Sequence, residues 1–580
     1  MSSIEPPNSH VRFRVIFACM MMAILLYLDR FCISFAEVFI KDELGLSDKQ
    51  IAIILGSFFA SYALCQVPSG WLSDRFGART MLTIYILLWS LFTAMTGFVS
   101  GFVMLLIFRL GFVVGQAGAY PTSANIVSKW MPLSARGFAS SLVAVGGRLG
   151  GALAPILTAF LIVLFVPISQ SSELQPGDLM QPHQFAVKFT ENLEKKQEFE
   201  TKIYDHLSPE SKTYLKATTV DEDPEKGTAV EADFLVNLNS ILQKDTLYDP
   251  SDFEDLKLNQ QAEQLLNVNP GEINVEQRSR LNRLLFEARY YTEVRKVQGQ
   301  GWRPVMVVYG VFGIVIAGFF WWSIRDYPRK HPGCSKRELE IIEFGRLEAD
   351  KDHSKEIGGI PLKAIVKNWS LWMLSLSQFC TNIGWLFLVT WLPRFLDETY
   401  QVPLKMRGTM VTVALAVGWF GTLSGGRATD WLMQRISLRW SRVLPIVISR
   451  FTAMGAYIAL CLFDVSPWGA VALFSVVAFS TDFGSPAMWA FNQDIGGKHV
   501  GSVLGWGNMW GNLGAAIAPS LMIFMIVKDD HMIGEDEHNW SMAFITCAIA
   551  FLIAGLASLC VDTSQTLFVE ETPEGELNAS

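Results

Sequence analysis

Runs of about 20 residues with few or no charges recur along this chain, the length at which an α-helix crosses the hydrocarbon core of a bilayer. Twelve are read: Val15 to Ala36, Ile51 to Leu72, Thr80 to Ser100, Met104 to Val127, Phe138 to Val166, Val305 to Ile324, Trp372 to Leu396, Met410 to Trp431, Val443 to Phe463, Trp468 to Phe491, Val500 to Val527 and Met542 to Val561. Soluble chains place apolar residues in shorter periodic stretches. A composition of 51% hydrophobic and 18% charged over 580 residues also argues against several soluble domains. The expected class is an all-α membrane protein. The first run is read as a retained span, because Asp29 and Arg30 interrupt it and no small-residue cleavage site follows a short apolar core.

Lys and Arg in short loops mark the cytoplasmic side. Arg12 and Arg14 precede the first span; Arg75 and Arg79 follow the second, Lys129 and Arg136 the fourth, Arg325, Arg329, Lys330, Lys336 and Arg337 the sixth, and Arg435, Arg439 and Arg442 the eighth. All fall on one side, so both termini are expected in the cytoplasm and the chain in a cytoplasmic (inner) membrane. The cysteines lie in spans or, for Cys334, in a cytoplasmic loop, where disulfides do not normally persist.

Residues 168–301 interrupt the pattern between the fifth and sixth spans and are therefore expected outside the cytoplasm. They hold 15 Lys and Arg against 24 Asp and Glu, a charge of −9, while the whole chain carries −8. The remainder is near neutral. Leu281, Leu284, Leu285 and Ala288 recur at helical spacing with Arg280, Arg283, Glu287 and Arg289 between them, which predicts short amphipathic helices; Asp221 to Lys226 reads as a loop. With no Cys and only His183 and His206, this insertion reads as a solvated helical cap rather than a metal or nucleophile site.

An internal repeat emerges once the insertion is set aside. Gly150 to Pro155 in the fifth span match Gly514 to Pro519 in the eleventh at an offset of 364, Pro121 pairs with Pro486, and Asp74 after the second span pairs with Asp430 after the eighth. A six-helix unit used twice is the signature of transporters whose halves rock about a central site. The expected parts are 1–167 (spans one to five), the insertion 168–301, 302–324 (span six), a cytoplasmic loop 325–368, a second bundle 369–562 (spans seven to twelve) and a cytoplasmic tail 563–580.

The run Gly70, Trp71, Leu72, Ser73, Asp74, Arg75, Phe76, Gly77, Ala78, Arg79 resembles the loop between helices 2 and 3 of the major facilitator superfamily, with a degenerate copy at Gly426, Arg427, Asp430 and Trp431. Small Gly70 permits close helix contact, and Asp74 at a helix end can bind donors on the other bundle in one state and release them in another. Within that superfamily the chain is similar to the anion:cation symporter family, which includes carriers of hexuronates, aldonates, phthalate and sialic acid. Tyr27, Asp29 and Arg30 resemble its Tyr-x-Asp-Arg; Tyr62, Gln66, Pro68 and Gly70 its second helix; Arg109, Gly115 and Pro121 its fourth. Trp391, Leu392 and Pro393, the run Arg325, Asp326, Tyr327, Pro328, His331, Pro332, and Asn508, Gly511, Asn512 complete the set. The resemblance covers everything except the insertion. It implies twelve transmembrane helices in two bundles and transport of organic anions with protons, and it adds Arg109 to a conformational switch made of Gly70, Asp74, Arg75, Gly77, Arg79 and Asp430.

An ionisable group inside a bilayer is a functional candidate by default. Arg30 is expected to grip a substrate carboxylate through two parallel hydrogen bonds, with Asp29 as proton carrier. Arg148 stands where aldonate-type relatives tend to place a Gln, and two arginines facing one cavity would suit a substrate with two negative charges, or one carboxylate and hydroxyls; Arg148 pairing instead with Asp29 or Asp482 is the alternative. Gln116 replaces the Glu the family usually carries seven residues after Arg109, removing one titratable site, so a one-proton cycle is favoured, with Asp482 a second candidate carrier. Tyr27, Tyr62, Asn382, Trp385, Thr390, Trp391, Asn508 and Asn512 complete the expected substrate site, together with Gln116.

The function read from the chain is proton-coupled uptake of small organic anions such as hexuronate, aldonate or other sugar acids. The rivals are an exporter of other compounds on the same fold and a membrane sensor using the insertion. No nucleophile with a base, metal-ligand spacing or phosphate loop argues for an enzyme. The expected partners are the anion, protons and the lipid bilayer; no nucleic acid and no cofactor are expected, and the chain is expected to act as a monomer.

Overall fold

The computed structural model describes residues 9–165, 172–220, 228–244, 258, 260–266, 268, 273–290, 293–295, 301–344, 359–526 and 540–563. Among the described residues there are helices and one isolated bridge, Leu179 with Val294, but no strand. The first half contributes α1 (Val11–Leu44), α2 (Asp48–Phe76), α3 (Ala78–Thr96), α4 (Phe102–Ala117), α5 (Ala119–Trp130) and α6 (Arg136–Leu164). Six short helices follow, α7 (Pro182–Glu194), α8 (Glu198–His206), α9 (Pro209–Thr218), α10 (Ala229–Leu242), α11 (Gln260–Leu266) and α12 (Val275–Arg289), and α13 (Trp302–Ser323) completes the half. After α14 (Lys336–Glu343) and α15 (Leu362–Lys367) come α16 (Trp369–Thr390), α17 (Leu392–Tyr400), α18 (Leu404–Met433), α19 (Leu438–Leu462), α20 (Pro467–Ile495), α21 (Val500–Ile526) and α22 (Trp540–Leu559).

Eleven spans among the described residues are long and apolar enough to cross a membrane. The glycine- and tryptophan-rich α21, 27 residues long, packs beside them as a twelfth. The protein is a multi-pass membrane protein. Two expected spans are broken. Pro121 has no N–H to offer the carbonyl of Ala117, and the fourth span divides at Gly118 into α4 and α5; Pro393 likewise denies a donor to Val389, and the seventh divides at Trp391 into α16 and α17.

The halves meet where α2 crosses α21 and α18 crosses α6. Both crossings are glycine-lined. A Cβ on Gly70 would strike the backbone of Gly501, and one on Gly426 would sit 2.7 Å from Ser141 Oγ and 2.9 Å from the Gly137 carbonyl. Small residues let the backbones approach this closely.

The short helices α7 to α12 bury a core of their own, in which Leu281, Leu284 and Leu285 join Phe185, Phe199 and Leu238. Arg280, Arg283 and Glu287, expected on the solvated face of α12, are buried as well. Arg283 bonds Glu287 at 2.7 Å and lies 3.7 Å from Asp178, so its charge is compensated within the cap. The expected loop Asp221 to Lys226 lies outside the described residues, as does the tail beyond Thr563.

Candidate functional site: a central cavity and its closed end

A cavity of about 250 Å³ lies between the two halves. From the first half come Tyr27 and Arg30 on α1, Tyr62 on α2 and Arg148 on α6; from the second come Asn382 and Trp385 on α16, Asp482 on α20, and Asn508 and Asn512 on α21. All were expected from the sequence. The cavity is smaller than the pockets of about 300–1,000 Å³ that take drug-sized ligands.

Arg30 is held by rings and one amide. Its guanidinium carbon lies over Tyr27, Phe58 and Tyr62 at 4.9, 4.9 and 4.7 Å from the ring centroids. Its Nε donates to Gln116 Oε1 at 3.1 Å, while Gln116 Nε2 donates to the Leu26 carbonyl at 2.8 Å. Gln116 is thus fully buried behind Arg30 and does not line the cavity, contrary to expectation. Arg30 Nη2 has no hydrogen-bond partner among the described residues.

Asp29 points elsewhere. Consecutive helical residues are rotated by about 100°, and with Arg30 on the cavity wall, the Asp29 carboxylate is buried inside the first half, accepting from Trp89 Nε1 at 3.0 Å. Asp29 Oδ1 has no hydrogen-bond partner among the described residues. Asp482, by contrast, is paired across the halves: Arg148 Nη2 donates to its Oδ1 at 2.6 Å, and Arg148 also lies 5.3 Å from the Trp385 ring centroid.

Thr390 and Trp391 lie away from the cavity. Thr390 is exposed at the end of α16, its hydroxyl spent on the Leu386 carbonyl at 2.7 Å, and the Trp391 ring, at the break before Pro393, packs against Trp540. Sequence reasoning also missed wall residues. Arg450 on α19 lines the cavity, almost wholly buried, with Nη1 donating to Ser449 Oγ at 2.9 Å. A charged residue within an otherwise uncharged span is the signal that would have found it. Tyr120 on α5 and Trp489 on α20 also line the cavity and meet across the halves, ring centroids 5.1 Å apart.

At one end of the cavity the halves are locked together. Asp74 Oδ1 accepts from Gly501 N at 2.8 Å and Asn125 Nδ2 at 2.7 Å; its Oδ2 accepts from Ser502 N and Oγ, both at 2.8 Å. Asp430 accepts from Gly137 N at 2.9 Å and Phe138 N at 2.8 Å. Each carboxylate sits on the N-terminus of a helix of the opposite half, where free N–H groups and the positive end of the helix dipole favour it. Beside Asp430, Asp494 takes Arg136 at 2.7 Å and Arg442 at 2.8 Å.

Gly70 of the expected switch packs on Gly501 across the halves, but Arg75, Gly77, Arg79 and Arg109 do not reach across. Arg79 N donates to Asp326 Oδ1 at 2.8 Å, and Gly77, with φ +92°, has no room for a Cβ beside that carboxylate, so both tie α3 to the end of α13. Arg75 is exposed over Trp71 and Phe76 of its own helix. Arg109 is buried in the first half over the rings of Phe58 and Phe112.

The Major Facilitator Superfamily model matches residues 19–167 and 297–519, leaving out most of the insertion. The chain belongs to the major facilitator superfamily. Over 559 residues it is 21% identical to a probable sulfoacetate transporter of Cupriavidus necator, covering 96% of this chain and 95% of that one. It is 22% identical over 540 residues to a probable galactarate/D-glucarate transporter of Escherichia coli strain K12, covering 90% and 89%. Relatives of this kind are consistent with the anion:cation symporter family within the superfamily. The fold is that of the solved transporter FucP, with a TM-score of 0.56, 12% identity and coverage of 96% of this chain and all of that one. The homologues of this superfamily member are transporters, not enzymes.

Proposed function

We propose that this superfamily member is a secondary active transporter that carries small organic anions, sugar acids such as hexuronates, aldonates and aldarates foremost, by alternating access and with protons. One observation carries the reading: Arg30 faces a cavity between the halves, steadied by Gln116 and three rings, with no carboxylate of its own among the described residues. A guanidinium so placed offers a planar fork to a carboxylate. Amides from Asn382, Asn508 and Asn512 suit hydroxyl groups. The named substrates of the two relatives are organic acids, which supports the same class.

Asp29 and Asp482 are the candidate proton carriers. The closed end bears the positive loops, so with cytoplasmic termini the conformation is open outward, and the insertion 168–301 lies on the outer face of a cytoplasmic membrane. The protein acts as a monomer in this scheme, since both halves of the site come from one chain. Uptake by proteoliposomes of hexuronate, aldonate and aldarate, with and without an inward proton gradient, tests the reading. Saturable, gradient-stimulated uptake lost in Arg30→Ala supports it; uptake indifferent to Arg30→Ala overturns it.

A further inference from the structure

The cavity wall holds three guanidinium groups, those of Arg30, Arg148 and Arg450, and one carboxylate, that of Asp482. The single carboxylate bonds Arg148 at 2.6 Å and also attracts Arg450, so it offsets one of the three charges. Two positive charges therefore remain. Arg30 is on α1 in the first half, bonded to the neutral amide of Gln116; Arg450 is on α19 in the second, bonded to the neutral hydroxyl of Ser449. Neither has an ion-pair partner among the described residues, and Arg450 Nε, like Arg30 Nη2, has no hydrogen-bond partner there. A cation removed from water without a counter-charge is costly, and at a cavity wall an anionic ligand relieves that cost.

A monoanion satisfies only one of these groups. When the halves close over it, the other guanidinium stays buried and uncompensated. A dianion with an acid group at each end satisfies both, and the amides of Asn382, Asn508 and Asn512 remain for the atoms between. Resting on the reading of the chain as an organic-anion carrier, we propose that its preferred substrates are dianionic acids, with one acid group held by Arg30 and the other by Arg450. The bound molecule then bridges the two halves. The assignment also removes Arg148 from the anion-binding pair expected from the sequence, because it is Arg148 that bonds Asp482 directly.

The test is competition in proteoliposomes between two acids of equal length, an aldarate with two carboxylates and the matching aldonate with one. Wild-type protein should favour the aldarate by about tenfold or more in apparent affinity, the scale of one charge-assisted contact. Arg450→Gln should bring the two acids within about twofold of each other by weakening the aldarate alone, whereas Arg450→Lys, which keeps the charge, should retain part of the preference. Equal affinities in the wild type, or an unchanged ratio in Arg450→Gln, overturns the proposal; should Arg450→Gln fail to fold, the wild-type ratio and Arg450→Lys decide. Uptake of the aldonate without the aldarate defeats the dianion assignment and leaves the anion-carrier reading standing. Transport of neither acid defeats both.

Discussion

Asp74 and Asp430 perform the same act at opposite crossings: each carboxylate caps a helix of the other half, Asp74 at Gly501 and Ser502, Asp430 at Gly137 and Phe138. The capped residues are themselves related by the internal repeat, 137 and 501 differing by the same 364 positions that separate the fifth- and eleventh-span motifs. The closed end is thus a pair of matched latches. They are not equal, because Asp74 also accepts from Ser502 Oγ and Asn125 Nδ2.

That inequality predicts an order. Replacing a carboxylate at a helix N-terminus with a neutral amide removes about 1–2 kcal/mol of favourable charge interaction. Asp74→Asn should therefore open the closed end by about 5- to 30-fold, a shift of that size, and Asp430→Asn by less, since the Asp494 bonds to Arg136 and Arg442 persist there. Labelling of a cysteine placed at Ser141, with the native cysteines replaced, reads this directly. A larger effect from Asp430→Asn would show that the extra Asp74 bonds contribute nothing.

Gln116 is predicted to act through Arg30. Its amide accepts from Arg30 Nε and donates to the Leu26 carbonyl, anchoring the guanidinium to the α1 backbone, so Gln116→Ala should weaken substrate affinity by about tenfold, the value of one or two such bonds. A merely structural role would lower stability at every substrate concentration without moving KM. Gln116→Glu is the sharper probe. It places a carboxylate beside Arg30, competes with the substrate, and should raise KM further at neutral pH, with partial recovery on acidification as the new carboxyl group is protonated.

How much of this was legible beforehand follows from what a linear pattern encodes. The apolar runs gave the spans, the repeat gave the two halves, and intramembrane charge pointed to Arg30, Arg148 and Asp482. What the pattern lacks is rotation: depth along a helix is readable, but the face a residue presents depends on its neighbours. The pattern puts Gln116 and Trp391 in the substrate site, whereas Gln116 stands behind Arg30 and the Trp391 ring serves the packing around Trp540. Arg450 was missed although the same charge rule covers it. Of the pairings across the halves, Arg148 with Asp482 is the alternative the intramembrane charges allow, whereas Arg136 with Asp494 joins residues 358 positions apart and leaves no local trace.

Arg148 and Asp482 compensate each other, and removing one strands the other. Breaking a buried pair by deleting one partner costs about 3–5 kcal/mol, whereas removing both charges is often close to neutral; with Arg148 about 30% exposed at its side chain, the lower end applies. Arg148→Gln and Asp482→Asn should each reduce the melting temperature of the detergent-purified protein, and the double variant should recover much of the loss. If Asp482 carries a transported proton, the double variant will be stable yet show a lower proton-to-substrate ratio. Equal stability of the two single variants and wild type would mean that the 2.6 Å pair contributes no net energy.

The insertion should be removable. Its helices bury their own core, and the start of α13 is held independently of them: Trp302 Nε1 and Arg303 Nε donate to Glu43 at 2.6 and 2.8 Å, and Arg303 Nη1 donates to the Gly97 carbonyl at 2.9 Å. Replacing Ser172 to Gly299 with a short flexible linker should therefore leave anion uptake in place, because no cavity residue comes from the cap. The Glu43 contacts then become the principal anchor of α13 at that end. Glu43→Gln, which at a pair 29% and 25% exposed costs about 1 kcal/mol, should lower the melting temperature more in the shortened protein than in the full chain. Loss of uptake in a folded, shortened protein would instead make the cap part of the transport cycle, and a ligand bound by the isolated cap would favour sensing.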